Sequence, residues 1–525
     1  MRRYIIFLVV LAPTAYAATA PFSLENVDLR LAWEESGVSL VTPSFDEYVE
    51  AQNEAFKEDL PGLFESGATP APRAPKGGRA GGRSLTEVEA GGGTGRRLEL
   101  AAFQGWEINF VDAAASFRDD RAASGDGLYD KDRMRADAEV AFSDQTGTTV
   151  AFAANYDGNT EKLRRDNTNL AGVARDNVAR SGEGSAGFRS NLWGKAKFAT
   201  KVAGTFTEGR YSTRNVVDQV ISSDSSYDFF WLGENLSRGI FTLSQENYEI
   251  EGREQGFLTG GLSMENDFPI ADRLYLLGGF GGYLFRGDRP EFRLYLRGRL
   301  LLRLTPRWGY FVNYRPQLHV PSFRALYVHS DYAVPTDFRP VDDKYFAVRS
   351  GLSYHYQSLG RVTAAVYEGR SRRTYAAADS YLGGVTYYDP GRTRVRGADV
   401  SYRITLARVD HYATAEYRTA RLYDTPGRRY PYLPTYEGTA GLTFRFGGGH
   451  SASVEATLLG ERYAAPTAIE PLAAAWVPET NLVFLLRPGI SVTAAAENFL
   501  DEKYYDAGGV LAPGRSFRVG MKLIL

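Results

Sequence analysis

The side chains that most often carry chemistry are sparse in this sequence. Its five histidines, His319, His329, His355, His411 and His450, share no metal-ligand spacing, and no serine can be placed beside them as a nucleophile. Cysteine is absent, which removes thiol chemistry, disulfides and a lipoprotein anchor. The pair Asp342-Asp343 reads as solvated loop charge, and no glycine-rich loop is placed to cradle a phosphate. No catalytic residue, metal site or cofactor is expected, so the reading is not that of an enzyme. What does repeat is arginine. Arg293, Arg297, Arg299 and Arg303 share one face of a period-two run, and Arg403 and Arg445 fall on the polar faces of theirs. Rings of arginine in a pore favour anions. Arginines facing Asp137, Glu139, Asp399, Glu416 and Glu455 make a structural ladder of ion pairs instead. A net charge of −2 favours the ladder and gives no case for nucleic acid. A second cluster, Tyr227, Phe229, Phe230 and Trp231, suits either a loop that touches a ligand or an aromatic girdle at the outer membrane face.

The elements that position these residues read as strands. In Phe292–Leu304 the residues Phe292, Leu294, Leu296, Leu300, Leu302 and Leu304 alternate with Arg293, Tyr295, Arg297, Arg299 and Arg303. In Arg133–Phe142, Met134, Ala136, Ala138, Val140 and Phe142 face one way, and the charged residues face the other. The last stretch gathers Phe517, Val519, Met521, Leu523 and Leu525 on one face, with Arg518, Gly520 and Lys522 between them. No helical pattern runs alongside to cover these oily faces. The economical partner is lipid, with the strands closed so that no edge stays unpaired. Composition agrees: aromatics make up 13% and glycines number 55, yet mean hydropathy is negative. No run approaches the ~18 apolar residues that a spanning helix needs.

The N-terminus differs. Arg2 and Arg3 precede the apolar run Tyr4–Leu11, and Ala15-Tyr16-Ala17 supplies a small-x-small cleavage site, so residues 1–17 read as a secretory signal peptide. Residues 18–97 read as a periplasmic segment. Ser44 and Glu47 form a capping box for an acidic amphipathic helix over 45–60, and the Gly/Pro/Arg-rich stretch 68–95 reads as a flexible linker. Residues 98–525 then form the barrel. Short connections at 145–147, 305–307, 358–360, 407–408, 447–449 and 487–489 alternate with long ones at 159–183, 214–240, 319–343 and 464–477, the short-periplasmic, long-extracellular asymmetry of outer-membrane barrels. The expected fold is all-β: a transmembrane antiparallel β-barrel of about eighteen strands, within 16–22, with both termini periplasmic.

The C-terminal part carries a family resemblance. Glu497-Asn498-Phe499-Leu500-Asp501, Lys503-Tyr504-Tyr505, Pro513-Gly514-Arg515 and the closing strand resemble, in that order, the C-terminus of TonB-dependent receptors. Tyr432-Leu433-Pro434 leading into Thr439–Phe446, Pro321-Ser322-Phe323 with Arg339-Pro340 and Lys344–Tyr356, and Arg396-Gly397-Ala398-Asp399 resemble earlier segments of the same family. The resemblance covers roughly residues 310–525. Arg518, Gly520, Leu523 and Leu525 resemble the terminal signal read by the β-barrel assembly machinery, with leucine at the end where its clients usually carry an aromatic. No plug signature is found, and the segment 18–97 is too short for a plug. The acidic-apolar run Leu85–Ala90 resembles a TonB-pairing segment only as any such run would.

The resemblance implies passage or uptake of a small solute across the outer membrane of a Gram-negative (diderm) bacterium. A porin-like channel and a structural barrel docking a periplasmic or surface partner are the other readings. Outer-membrane lipid, the assembly machinery, an unknown small solute, and TonB or a separate plug protein are the expected partners.

Overall fold

The computed structural model describes residues 83–524, apart from 94–97, 109–110, 124–128, 145–147, 164–174, 193–195, 212–213, 232–234, 272, 287–289, 322–340, 357–359, 380–384, 426 and 505–513. The signal peptide, the helix expected over 45–60 and the first part of the linker lie outside the described residues, as does Leu525. Among the described residues no helix is long and apolar enough to cross a membrane. The crossing is made by strands.

The first eight strands are β1 (Arg83–Gly93), β2 (Leu98–Ile108), β3 (Val111–Ala123), β4 (Tyr129–Ser143), β5 (Thr149–Leu163), β6 (Arg175–Leu192), β7 (Ala196–Tyr211) and β8 (Arg214–Trp231). The middle of the sheet is β9 (Asn235–Ile250), β10 (Arg253–Ala271), β11 (Leu274–Arg286), β12 (Pro290–Arg303), β13 (Trp308–Tyr314, resumed as Gln317–His319), β14 (Asp342–Tyr356) and β15 (Gly360–Arg373). The last seven are β16 (Thr393–Leu406), β17 (Val409–Leu422), β18 (Tyr436–Phe446), β19 (His450–Leu459), β20 (Ala475–Arg487), β21 (Ile490–Glu497) and β22 (Ser516–Ile524). Each pairs antiparallel with the next, and β22 pairs with β1, from Glu87↔Ile524 to Gly93↔Arg518. The sheet is a closed barrel of twenty-two strands.

The count corrects the expectation of about eighteen, and the four extra strands are identifiable. β1 and β2 lie where a flexible linker was expected over 68–95 and the barrel was expected to start at 98. The barrel wall starts at Arg83. The run Leu85–Ala90 is therefore wall: it pairs with β2 on one side and β22 on the other. β8 and the start of β9 occupy the stretch expected as a long loop over 214–240. β9 turns into β10 through only Glu251-Gly252, both at positive φ (52° and 79°), the backbone of a tight hairpin turn.

The wall is sorted by face. On β12, Phe292, Leu294 and Leu296 are each at least 60% exposed, while Arg297 and Arg299 on the opposite face are buried. Val202 and Phe206, Ile221, Val366, Val400, and Phe517, Val519 and Met521 continue the exposed apolar face around the barrel. In a closed sheet that outward face is the lipid face. The alternation places Arg518, Gly520 and Lys522 inward.

The seam between β1 and β22 is tight. A Cβ added at Gly520 would stand 3.2 Å from the Ala90 carbonyl oxygen and 2.9 Å from Thr493 Oγ1, and one added at Gly91 would stand 3.5 Å from the Gly520 Cα. Glycine lets the two backbones approach at the place where the barrel closes. Gly520→Val is expected to weaken closure by roughly 1–3 kcal/mol. The check is the fraction of refolded protein that migrates as the compact, heat-modifiable species. Gly204→Ala, where an added Cβ meets nothing within 4 Å, should leave that fraction unchanged, and equal behaviour of the two variants would refute the closure argument.

Candidate functional site

The chemistry of this barrel lies on its inward face. The arginines picked out from the sequence sit on inward-facing positions, but they form no ring. Arg293 is near the extracellular end of β12, and Arg303, Arg403 and Arg445 are near the periplasmic ends of β12, β16 and β18. Carboxylates meet several of them. Arg293 Nε donates to Asp343 (3.1 Å) and its Nη2 to Glu291 (2.8 Å). Arg297 lies 3.6 Å from Glu265 and donates to the Tyr283 hydroxyl. Arg445 pairs with Asp410. Arg349, Arg418 and Lys201, which sequence reasoning passed over, extend the pattern, and the two arginines meet Asp399 and Glu416, which it named. Arg349 reaches across β15 to Asp399 (2.6 Å), Arg418 pairs with Glu437 and lies 3.5 Å from Glu416, and Lys201 meets Glu183 at 3.2 Å. The arrangement is the ladder of ion pairs that near-zero net charge favours.

Register explains one rung in detail. Glu265 on β10 and Arg297 on β12 both stand opposite Gly279 of the intervening β11. A Cβ at Gly279 would collide with the β10 backbone at Met264 and Glu265. With no side chain between them, carboxylate and guanidinium approach over the middle strand.

At the extracellular end, aromatic rings replace charges. Tyr248 stacks on Phe257 (5.4 Å between centroids, 7° between planes), and Phe257 stacks on Phe285 (5.9 Å, 12°). These three residues come from β9, β10 and β11 and belong to a buried cluster with Tyr211, Val216, Ile250, Tyr295, Leu318 and Val341. Tyr283 and Tyr295 approach each other at 5.8 Å, and the Tyr295 hydroxyl donates to Asp343 at 2.5 Å. The sequence carried the signal for this cluster only as aromatic residues at strand ends, without a motif.

Extracellular segments cover the cluster. A small hairpin, Ala376–Asp379 with Val385–Tyr388, sits in the connection between β15 and β16, and Tyr375 just before it and Tyr387 within it pack on the cluster. The next connection locks onto it, because the Tyr430 hydroxyl donates to the Tyr375 carbonyl at 3.1 Å. Burial pushes the Tyr430 phenol up to about 12. A third connection joins in: Tyr432 N–H donates to the Tyr463 carbonyl (2.8 Å), and Arg429 N–H donates to the Pro466 carbonyl (2.9 Å). Three extracellular connections are thus tied into one cover.

The remaining expectations resolve as follows. Tyr227, Phe229, Phe230 and Trp231 lie in the last turn of alternation of β8 at the periplasmic end, opposite Gly239, Ser237, Leu236 and Asn235 of β9. They are wall rather than an outer loop, and the Tyr227 and Phe229 rings lie 5.3 Å apart. Asn498 and Asp501, part of the family-like C-terminal motif, pin the last extracellular connection. The Asn498 side chain accepts from Glu502 N–H and donates to Glu502 O, both at 2.9 Å, and Asp501 accepts from Arg515 N–H at 3.0 Å. Among the described residues no group of three or more His, Asp or Glu is placed to hold a metal ion.

The ladder makes a measurable claim. Arg297→Met strands Glu265 in the wall and is expected to cost about 3 kcal/mol, the penalty for leaving a buried charge alone. Adding Glu265→Met should recover most of that loss. Urea unfolding of the refolded barrel in detergent reads both, and a single variant as stable as the parent would show that this rung carries no stability.

The sequence matches no protein-family model and no curated protein. The structure has clear relatives. The copper transporter OprC is 13% identical with a TM-score of 0.68, over 86% of this chain and 81% of that one. The FrpB iron transporter from Neisseria meningitidis (F3-3 variant) is 10% identical with a TM-score of 0.70, over 84% and 81%. The siderophore receptor PiuA from Acinetobacter baumannii is 9% identical with a TM-score of 0.68, over 84% and 82%. At these identities the likeness is one of fold: this chain shares the large antiparallel barrel of those two transporters and that receptor.

Proposed function

We propose that this protein is a gated outer-membrane barrel for uptake of a small organic solute, with the covered aromatic cluster as its outer recognition site. The observation that carries the reading is the cluster itself: Tyr248, Phe257 and Phe285 stacked on the inner wall under three interlocked extracellular connections. Stacked rings offer flat apolar faces. A planar organic molecule fits that chemistry. Copper, iron and siderophores are what the structural neighbours are named for, and a metal carried in an organic chelate is the cargo class that joins those names to these rings.

A barrel of this size encloses a lumen that needs an occupant if it is not to leak. The chain ahead of β1 enters the wall at Arg83 on the periplasmic rim. On this reading residues 18–82, which precede β1 in the chain, fill the lumen, and TonB or a separate periplasmic protein displaces them. Single-channel conductance in a planar bilayer tests this. The full chain should conduct little, and the chain lacking residues 18–82 should show a large steady conductance. A large steady conductance from the full chain would sink the gated reading and leave an open pore.

The recognition site has its own test. Phe257→Ala and Phe285→Ala should each reduce solute-dependent quenching of tryptophan fluorescence by metal-chelate probes at least about tenfold in apparent affinity, the loss expected when stacking of roughly 1.5 kcal/mol is removed. Heat-modifiable migration controls for folding. Unchanged affinity in a folded variant would remove the cluster from the solute path.

A further inference from the structure

The outward face of the barrel holds a cationic row that the lumen does not explain. On β15 the exposed Val366 fixes the lipid-facing parity, and Glu368, Arg370 and Arg372 follow on that face toward the extracellular end. On β16 the exposed Val400 does the same for Arg394 and Arg396, and on β17 the exposed Tyr417 does so for Arg421. Register sets three of these side by side. Arg394 stands directly opposite Arg370 on one flank and directly opposite Arg421 on the other. With strands about 4.8 Å apart, the row spans roughly 10 Å. Directly opposed like charges destabilise a sheet.

Local carboxylates only partly relieve the repulsion. Glu368 accepts from Arg370 (2.5 Å), Arg394 (2.8 Å) and Arg396 (2.7 Å), so one negative charge serves three guanidinium groups. Arg421 lies over the Tyr423 ring and Arg372 over the Tyr345 ring, at 5.4 and 5.1 Å. Arg372 also lies 3.6 Å from Asp343, which already pairs with Arg293. Arg370, Arg394 and Arg396 thus share one glutamate, and Arg372 shares Asp343 with Arg293. The rim on the other side of the barrel is different: Glu208 and Arg210 on β7, Glu249 on β9 and Glu254 on β10 hold the equivalent outward positions. The cationic surface is local, not a belt.

Its position selects the ligand. Arg370 lies four residues beyond Val366 and Arg394 six residues from Val400, on the extracellular side of the exposed apolar residues of these strands. We propose that Arg370, Arg394 and Arg421, with Arg372 and Arg396, bind the phosphate groups of an outer-leaflet lipid. Guanidinium forks match phosphate oxygens in pairs, and an anion lying across the row removes the repulsion that Glu368 leaves.

Native mass spectrometry of the full chain in detergent, with diphosphoryl lipid A added, tests the assignment. The parent protein should retain the lipid. Arg370→Gln with Arg421→Gln should weaken retention at least about tenfold, the loss of one good charge-assisted contact or more. Arg372→Gln with Arg421→Gln, which leaves the Glu368 pairs intact, should weaken it in the same direction, and Arg210→Gln on the far rim should not. Heat-modifiable migration confirms that each variant is folded. Retention of the lipid by both double variants at the parent's level would overturn the proposal. So would equal retention of lipid A stripped of its phosphates, because acyl contacts would then suffice. Displacement of the lipid by equimolar inorganic phosphate would assign the row to a free anion and overturn the lipid as its ligand.

Discussion

The rest of this structure depends on one requirement: in lipid no backbone amide or carbonyl can be left without a partner. A sheet meets it only by closing, and here closure falls to the pairing of β22 with β1. The first strand is made from a poor-looking sequence, Arg83–Gly93, with three consecutive glycines at its end. Its worth lies in the register it gives. Gly91 opposes Gly520, so the first and last strands approach without side chains between them. The family-like residues near the C-terminus serve the same end. Asn498 and Asp501 hold the connection that delivers β22 to its place.

Closure with this many strands creates the second problem, a wide lumen lined with charge. The barrel handles it by pairing across strands. Arg297 with Glu265, Arg349 with Asp399 and Arg418 with Glu437 each join strands that are neighbours or next neighbours, so the pairs stiffen the wall as well as neutralise it. Toward the extracellular end the wall changes character to stacked rings, and the connections above pack onto them. That change of chemistry along the lumen separates the charge-paired wall from the aromatic cluster proposed as the recognition surface.

The sequence was most legible where the two faces differ most. β12 was readable residue by residue, because leucine outside and arginine inside give a full contrast at every step. β2 was not, because Ala101 and Phe103 place apolar side chains on the inner face and erase the period of two against Leu100 and Ala102. β8 failed for the opposite reason. Asp218, Ser222 and Asp224 inside alternate with Gln219, Ser223 and Ser225 outside, so polar residues fill both faces and Ile221 alone stands out to lipid. Reading that stretch as a loop also moved Tyr227–Trp231 to the wrong side of the membrane. The aromatic cluster was invisible for a different reason: its rings come from strands whose pairing, not their spacing in sequence, brings them together.

Arginine shows how far the face, and not the residue, decides the chemistry. Arg297 and Arg394 occupy similar strands, and a sequence pattern treats them alike. Arg297 points inward, where a carboxylate two strands away meets it and the pair becomes structure. Arg394 points outward with an arginine on either side, and its one carboxylate is shared with two others. A wall that neutralises its inner charges rung by rung had the same means available outside and did not use them. An outward surface left cationic on the extracellular side of the exposed apolar residues is therefore best understood together with the lipid that faces it, as one half of an interface whose other half is the membrane.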